Sequence, residues 1–432
     1  MTRALSPSWL DAAGALFLEG IRAHGEPLDA VVARFLRKQR TQDWGLKDEA
    51  RGFIVDTAQG MWRARAQLDS AVRSLPFEAT RGAFACLYLA GARGVPLTTL
   101  PIDGAGGRAL VDAWTKAGAA GLDVRASLPS WLVETLQRNR GAAEGEALCL
   151  SFLQTPPTSL RANTLKGDRE ALIDALASEG IAARASTLVP EGVVLKRRAN
   201  VHRTRAFAGG LFEVQDEGSQ LVSHLCQAAP GMVVVDGCAG AGGKTLHLAA
   251  LMKSKGTLHA FDIAAHRLAA LRERAKRAGA DNVRVHSLQD DEGKRARKKL
   301  HGKADVVLVD APCTGTGVLR RNPDTAWRLA PADVDRLVQE QARILDDYAP
   351  LVRPGGRLIY ATCSLLDDEN EGSLASFLAR TPNFVRLTAR AVLGRQGIEV
   401  AGVEEVFATD PLRHGADGFF ACVLGRIDDD ER

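Results

Sequence analysis

Residues 232–262 read MVVVDGCAGAGGKTLHLAALMKSKGTLHAFD, and this stretch leaves few architectures open. Residues 232–236 are a short apolar run ending in an acid, the pattern of a strand buried on both faces. A glycine-rich loop follows at once, Lys244-Thr245 opens a helical pattern, and residues 257–261 form a second apolar strand closed by Asp262. Parallel strands need a crossover between them. Strand, glycine loop, helix, strand and acid within about 30 residues therefore predict an α/β sheet that binds a dinucleotide or nucleoside cofactor at its carboxyl edge. The glycines let backbone approach a ligand and leave helix N-terminal amides free for it, while Asp262 is placed for ribose hydroxyls. A P-loop is excluded: ending GxxxxGK[ST] on Gly243-Lys244-Thr245 requires glycine where Cys238 stands.

A helix is predicted over 264–278 and a third strand over 283–285, followed by Asp290 and Asp291. Two further strands then end in thiols. Residues 305–317 (DVVLVDAPCTGTG) carry Asp310 and Cys313 past an apolar run, and residues 357–364 (RLIYATCS), introduced by an Arg-Pro-Gly-Gly turn, carry Cys363. Each cysteine alone reads equally well as a small buried residue. Two thiols on carboxyl strand ends point instead to paired sulfur chemistry in one pocket, which a nicotinamide cofactor would leave unexplained.

Taken in order, DGCAGAGGKT, LVDAPCTGTGVLRRNPD and YATCSLLDDENE, with FEVQDEGSQL and DGFFACVLGR, resemble the Sun (Fmu/NOP) family of RNA cytosine methyltransferases over about residues 125–426. The resemblance implies a Rossmann-like class I methyltransferase domain using S-adenosylmethionine. It implies that Cys238, Ala239, Gly240, Ala241, Gly242, Gly243, Lys244, Asp262, Asp290 and Asp310 bind the methyl donor, that Cys363 is the nucleophile, and that Cys313 helps release product. Where the family usually has Ala-Pro, this loop has Gly240-Ala241, and Asp290 falls one residue late for the usual spacing.

The chemistry has its own logic. Carbon 5 of cytosine is a poor nucleophile, but a thiolate adding at carbon 6 makes it an enamine that can take a methyl group. Asp310 could hydrogen-bond the cytosine edge, and Lys244 is one source of the positive potential that a thiolate needs. The residues themselves leave open which thiol attacks, because DNA cytosine methyltransferases use a Pro-Cys like Pro312-Cys313.

Upstream, apolar residues recur at helical spacing (Leu28, Val31, Val32, Phe35, Leu36), with cations at Arg34, Arg37, Lys38, Arg40, Arg51, Arg63 and Arg65. No strand signal precedes about residue 120, so residues 1–122 are expected to be all-helical, similar to a NusB-like domain, with the Gly/Ala-rich stretch 104–121 as a connector. Residues 123–215 read as a small α+β unit with strands near 158–163, 192–195 and 211–214, and residues 216–427 as the methyltransferase domain. Residues 196–205 place Lys196, Arg197, Arg198, Arg203 and Arg205 in one loop, suited to an RNA backbone.

With 56 Lys+Arg against 52 Asp+Glu, the net charge of +4 predicts no partner by itself, so any RNA site must be local. Seven cysteines without a CxxC pair predict neither a disulfide framework nor a metal site and fit a reducing cytoplasm. No apolar run approaches the roughly 18 residues of a membrane span, and no signal peptide is evident. The expected protein is a cytoplasmic monomer that methylates ribosomal RNA. The alternatives are a transfer-RNA cytosine methyltransferase and a non-catalytic RNA-binding protein that keeps the fold.

Overall fold

The computed structural model describes residues 5–23, 25–41 and 48–427, which divide into two compact units. The side chain of Arg40 lies outside the described residues.

The first unit comprises Met1–Thr155 and Leu319–Ala330. Among its described residues there is no strand, and its helices close over a core that includes Leu16, Phe17, Val31, Ile54, Met61 and Leu68. Trp62 donates its indole N–H to the Phe17 carbonyl across 3.1 Å, so its polar end is satisfied inside that core. The stretch expected to be a connector is instead a helix, Gly104–Gly118, capped by Asp103, whose carboxylate accepts from the Gly106 amide at 2.6 Å. Leu110, Ala113 and Ala117 recur at helical spacing and are buried, which outweighs the glycine content. The unit also extends past the boundary expected near residue 122. Arg125 pairs with Glu146 at 2.8 Å, and Leu153 packs on the helical core. Two of the expected RNA cations have internal partners: Arg34 pairs with Glu19 and Glu26, and buried Arg63 donates to the Arg320 carbonyl at 3.1 Å.

The second unit, Pro156–Val318 with Pro331–Arg432, holds two sheets. Strands β1 (Ser159–Ala162), β2 (Ala183–Ala185), β3 (Gly192–Leu195) and β4 (Phe212–Val214) form an antiparallel sheet in the order β2-β3-β1-β4. Leu172 and Leu176 of the helix Arg169–Ser178 pack on it. Strand β2 was not expected; it is three residues long with no buried side chain and carries no pattern to read.

The larger sheet continues with β5 (Val233–Asp236), β6 (Thr257–Asp262), β7 (Val283–Ser287), β8 (Ala304–Asp310), β9 (Val352–Thr362), β10 (Phe384–Leu387), β11 (Phe407–Thr409) and β12 (Phe419–Arg426). Its order is β10-β12-β9-β8-β5-β6-β7, with β11 also on β12; β5 to β9 run parallel and β12 runs antiparallel to β9. Alternate residues of each strand feed two cores. Val234, Leu258, Leu308 and Ile359 face one side, and Val235, Phe261, Val307 and Leu358 the other, so both faces are covered.

Strand order reverses between β5 and β8, which opens a crevice beyond their carboxyl ends. Register then sets the chemistry. Asp310 is the partner of Ala361 across β8 and β9, so the chain reaches Cys313 and Cys363 side by side as both strands leave the sheet.

Candidate active site

The carboxyl ends of β5, β6 and β8 border a cleft of about 530 Å3. Cys238, Ala239, Gly240, Ala241, Gly243, Lys244, Asp262 and Asp310 line it. Gly242 does not, and its role is conformational: it has φ +90°, and a Cβ there would lie 2.1 Å from Leu271 Cδ1. Asp290 is exposed at the start of the helix Asp291–Lys298 and is not among the lining residues. Strand β7 ends at Ser287, and the side chain it offers the cleft is Leu288.

Asp262 is buried and holds the loop that it faces. One oxygen accepts from the Gly240 amide at 2.8 Å and the other from the Ala264 amide at 2.7 Å. Gly240 has φ +53° with nothing within 4 Å of an added Cβ, so backbone is bare to the cleft there. A nucleoside with a charged amino-acid tail fits such a wall: exposed backbone on one strand end, a carboxylate on the next. Asp262→Ala should weaken binding of the methyl donor by about 1–3 kcal/mol, through loss of charge-assisted hydrogen bonds and of the loop's anchor. Calorimetry showing unchanged affinity would remove Asp262 from the site.

Lys244 donates to Asp310 at 2.7 Å, with its ammonium 5.0 Å from the centre of the Phe419 ring. Burial works against its charge, yet Asp310, Cys363 and Asp236 more than offset this, and its pKa is raised. The backbone at the same helix start is held by Arg161, which donates to the Gly243 carbonyl at 2.7 Å. Burial pushes the Cys238 thiol well above its ordinary range and keeps it neutral.

Burial also raises Asp236 to about 7, against the hydrogen bond from Thr245 at 2.7 Å. A carboxyl group raised in the folded state binds a proton that the unfolded chain has already lost, so its contribution to stability falls as pH rises from about 4 to about 7. Asn at this position can still accept from Thr245 and carries no charge. Asp236→Asn should therefore gain stability relative to the parent across that window in denaturant melts; a difference that does not change with pH would refute the shift.

Cys313 Sγ and Cys363 Sγ lie 3.4 Å apart. Cys313 is raised well above its ordinary value, first by its hydrogen bond to Cys363 and then by burial, so it is the thiol that keeps its proton. The two thiol loops are tied together in the backbone, where the Gly317 amide donates to the Cys363 carbonyl at 2.9 Å. They are tied again through fully buried Glu369, whose carboxylate accepts from the Thr314 amide (2.8 Å), the Thr314 hydroxyl (2.5 Å), the Ser364 hydroxyl (2.5 Å) and the Gln341 amide (3.0 Å). Gln341 also donates to the Pro312 carbonyl at 3.0 Å.

Sequence reasoning did not single out Glu369, Gln341, Ile263 or Tyr348. Gln341 carried a signal: it is a polar residue within the buried stripe Val334, Leu337, Leu345, Tyr348 of the helix Pro331–Tyr348. Ile263, 61% exposed directly after Asp262, and Leu288 give the cleft apolar surface suited to a flat base, and an exposed isoleucine beside a strand-end acid was a readable clue.

Comparison with known proteins agrees with this site. Residues 224–425 match the family described as 16S rRNA methyltransferase RsmB/F, and residues 128–202 match a Methyltr_RsmF/B-like, ferredoxin-like domain. The latter match begins with two helices that belong to the first compact unit. The chain is 33% identical over 406 residues to the ribosomal RNA small subunit methyltransferase B of Pseudomonas putida, covering 87% of this chain and 91% of that protein. It is 34% identical over 306 residues to the probable ribosomal RNA small subunit methyltransferase B of Bacillus subtilis, covering 70% and 67%. The crystal structure of PH0851 resembles it with a TM-score of 0.76 at 26% identity, over 98% of this chain and 99% of that one. The chain belongs to the RsmB/F family of 16S ribosomal RNA methyltransferases, enzymes that use S-adenosylmethionine.

Proposed function

We propose that the protein methylates carbon 5 of a cytosine in 16S ribosomal RNA through a covalent bond from Cys363 to carbon 6. The observation that carries this reading is the 3.4 Å contact between two thiols, one of which retains its proton. S-adenosylmethionine, when bound in the cleft, supplies an electrophilic methyl group. The loop 237–243 and Asp262 would hold it, with Ile263 and Leu288 against its base; Asp290, exposed and off the cleft, has no contact to offer there.

Cys363 Sγ adds to carbon 6, aided by the Lys244 ammonium. Asp310 gives one oxygen to Lys244 and is partly exposed, so it presents a carboxylate to the cytosine edge. Once Cys363 has become a thioether, the hydrogen bond that chiefly raises Cys313 is gone, and Cys313 can ionise. It then stands next to the adduct as the base that takes the carbon-5 proton, while the carbon–sulfur bond breaks and Cys363 leaves as thiolate.

Lys196, Arg197, Arg198, His202, Arg203 and Arg205 are all exposed and would meet RNA phosphates, with the helical unit adding affinity and the whole acting as a monomer. Bisulfite sequencing of RNA from cells with and without the protein tests the reading. One 16S cytosine should lose protection in the deletion strain. Loss of protection in transfer RNA, or none anywhere, would reject it.

A further inference from the structure

Away from the cleft, Glu191, His224 and His247 form a buried cluster that the methyl-transfer reaction does not use; their carboxylate oxygen and ring nitrogens lie within 4.8 Å of one another. All three side chains are more than nine-tenths buried. Glu191 directly precedes β3, His224 is on the helix Glu217–Leu225 and His247 on the helix Gly243–Leu251.

The hydrogen bonds around the cluster fix where its protons are. The Gln396 amide nitrogen faces two carbonyls, those of His224 at 2.8 Å and Val392 at 3.3 Å, so the Gln396 oxygen is the atom that faces His224 Nδ1 at 3.0 Å. His224 Nδ1 therefore carries the hydrogen, and in the neutral ring Nε2 bears a lone pair. That lone pair stands 2.9 Å from a Glu191 oxygen, acceptor against acceptor. His247 Nε2 also touches Glu191 but makes no hydrogen bond to it, and neither of its ring nitrogens has a hydrogen-bond partner. Three electron-pair donors thus converge on one point in a dry interior, and something positive has to sit among them.

We propose that this is a binding site for a divalent cation of the zinc class, held by a Glu191 oxygen, His224 Nε2 and His247 Nε2. Two histidines and one carboxylate are a ligand set zinc accepts. Bond lengths of about 2.0–2.2 Å put neighbouring ligand atoms roughly 3 Å apart, close to the spacing of His224 and Glu191 here. A histidine that donates Nδ1–H to an oxygen while Nε2 faces the cluster is the usual outer arrangement of a metal ligand. The ion would fasten the strand-and-loop unit to the helix that begins with Gly243 and Lys244. Arg161 bears on both imidazoles and opposes any added positive charge, proton or metal, so affinity is what has to be measured.

The test uses the full chain, stripped with a chelator, dialysed against buffered Zn2+ and assayed for bound metal, with Cys363→Ala and Glu191→Gln treated alike. One equivalent of zinc should remain on the parent and on Cys363→Ala, about none on Glu191→Gln, and the parent's Tm should rise by about 5 °C with zinc. Should Glu191→Gln fail to fold, cobalt decides: binding with no thiolate-to-metal absorption supports the cluster, and such absorption assigns the metal to the cysteines. No retained zinc and an unchanged Tm in the parent would overturn the proposal and leave a proton shared between His224 and Glu191 as the positive charge.

Discussion

Cys363→Ala abolishes methyl transfer, by about four orders of magnitude or more, and leaves binding of RNA and methyl donor intact. The thiol is only partly exposed and its removal opens little space, so the loss is one of chemistry and not of folding. Cys313→Ala fails later. With Cys363 free to attack and methylation complete, no base stands beside the adduct, and protein stays bonded to methylated RNA. A denaturing gel with labelled RNA separates the outcomes: a shifted, protease-sensitive band for Cys313→Ala and none for Cys363→Ala. The reverse pattern exchanges the two roles, and full turnover by either variant ends the covalent mechanism.

Glu369→Gln should cost about 2–4 kcal/mol of stability and at least roughly a hundredfold in kcat, although residue 369 is far in sequence from Cys313. Four donors converge on its carboxylate. Glutamine offers one acceptor oxygen and turns an NH2 group toward hydroxyls and amides that also have hydrogens to give. The loops carrying Thr314 and Ser364 must then separate or rotate, and each neighbours a reacting thiol. Donor affinity should hold, since Glu369 does not line the cleft. A variant that melts and turns over like the parent would show that the backbone link from Gly317 to Cys363 suffices to hold the pair.

The parallel sheet and the thiol pair were legible because each is local: an apolar run, its terminal acid, and a glycine or cysteine within a few residues of that acid. Asp262, Asp310 and both cysteines were readable on those grounds. Glu369 was in plain view within a motif, but its function depends on the register of β8 against β9, which no single segment encodes. Asp290 misled because spacing along the chain was read as position in space, whereas β7 ends at Ser287 and the side chain it offers the cleft is Leu288. The helix Gly104–Gly118 was missed because glycine and alanine content masked a buried stripe of three residues. The buried cluster had no signature at all: Glu191, His224 and His247 stand 33 and 23 positions apart with no cysteine motif to mark them.

The segment Leu319–Ala330 begins six positions after Cys313 and belongs to the first compact unit, where Leu319, Arg320 and Ala326 are buried and the Arg65 guanidinium lies 5.0 Å from the centre of the Trp327 ring. During synthesis the two parts of that unit emerge far apart in time. When residue 155 leaves the ribosome, the first unit still lacks a strip of its own interior, and it waits for more than a hundred further residues before that strip arrives. Contacts of such long sequence separation form late and slowly. The helical unit should thus remain open to proteases during translation until the catalytic loop beside Cys313 has been made, and a transplanted copy that ends at residue 155 inherits the same gap.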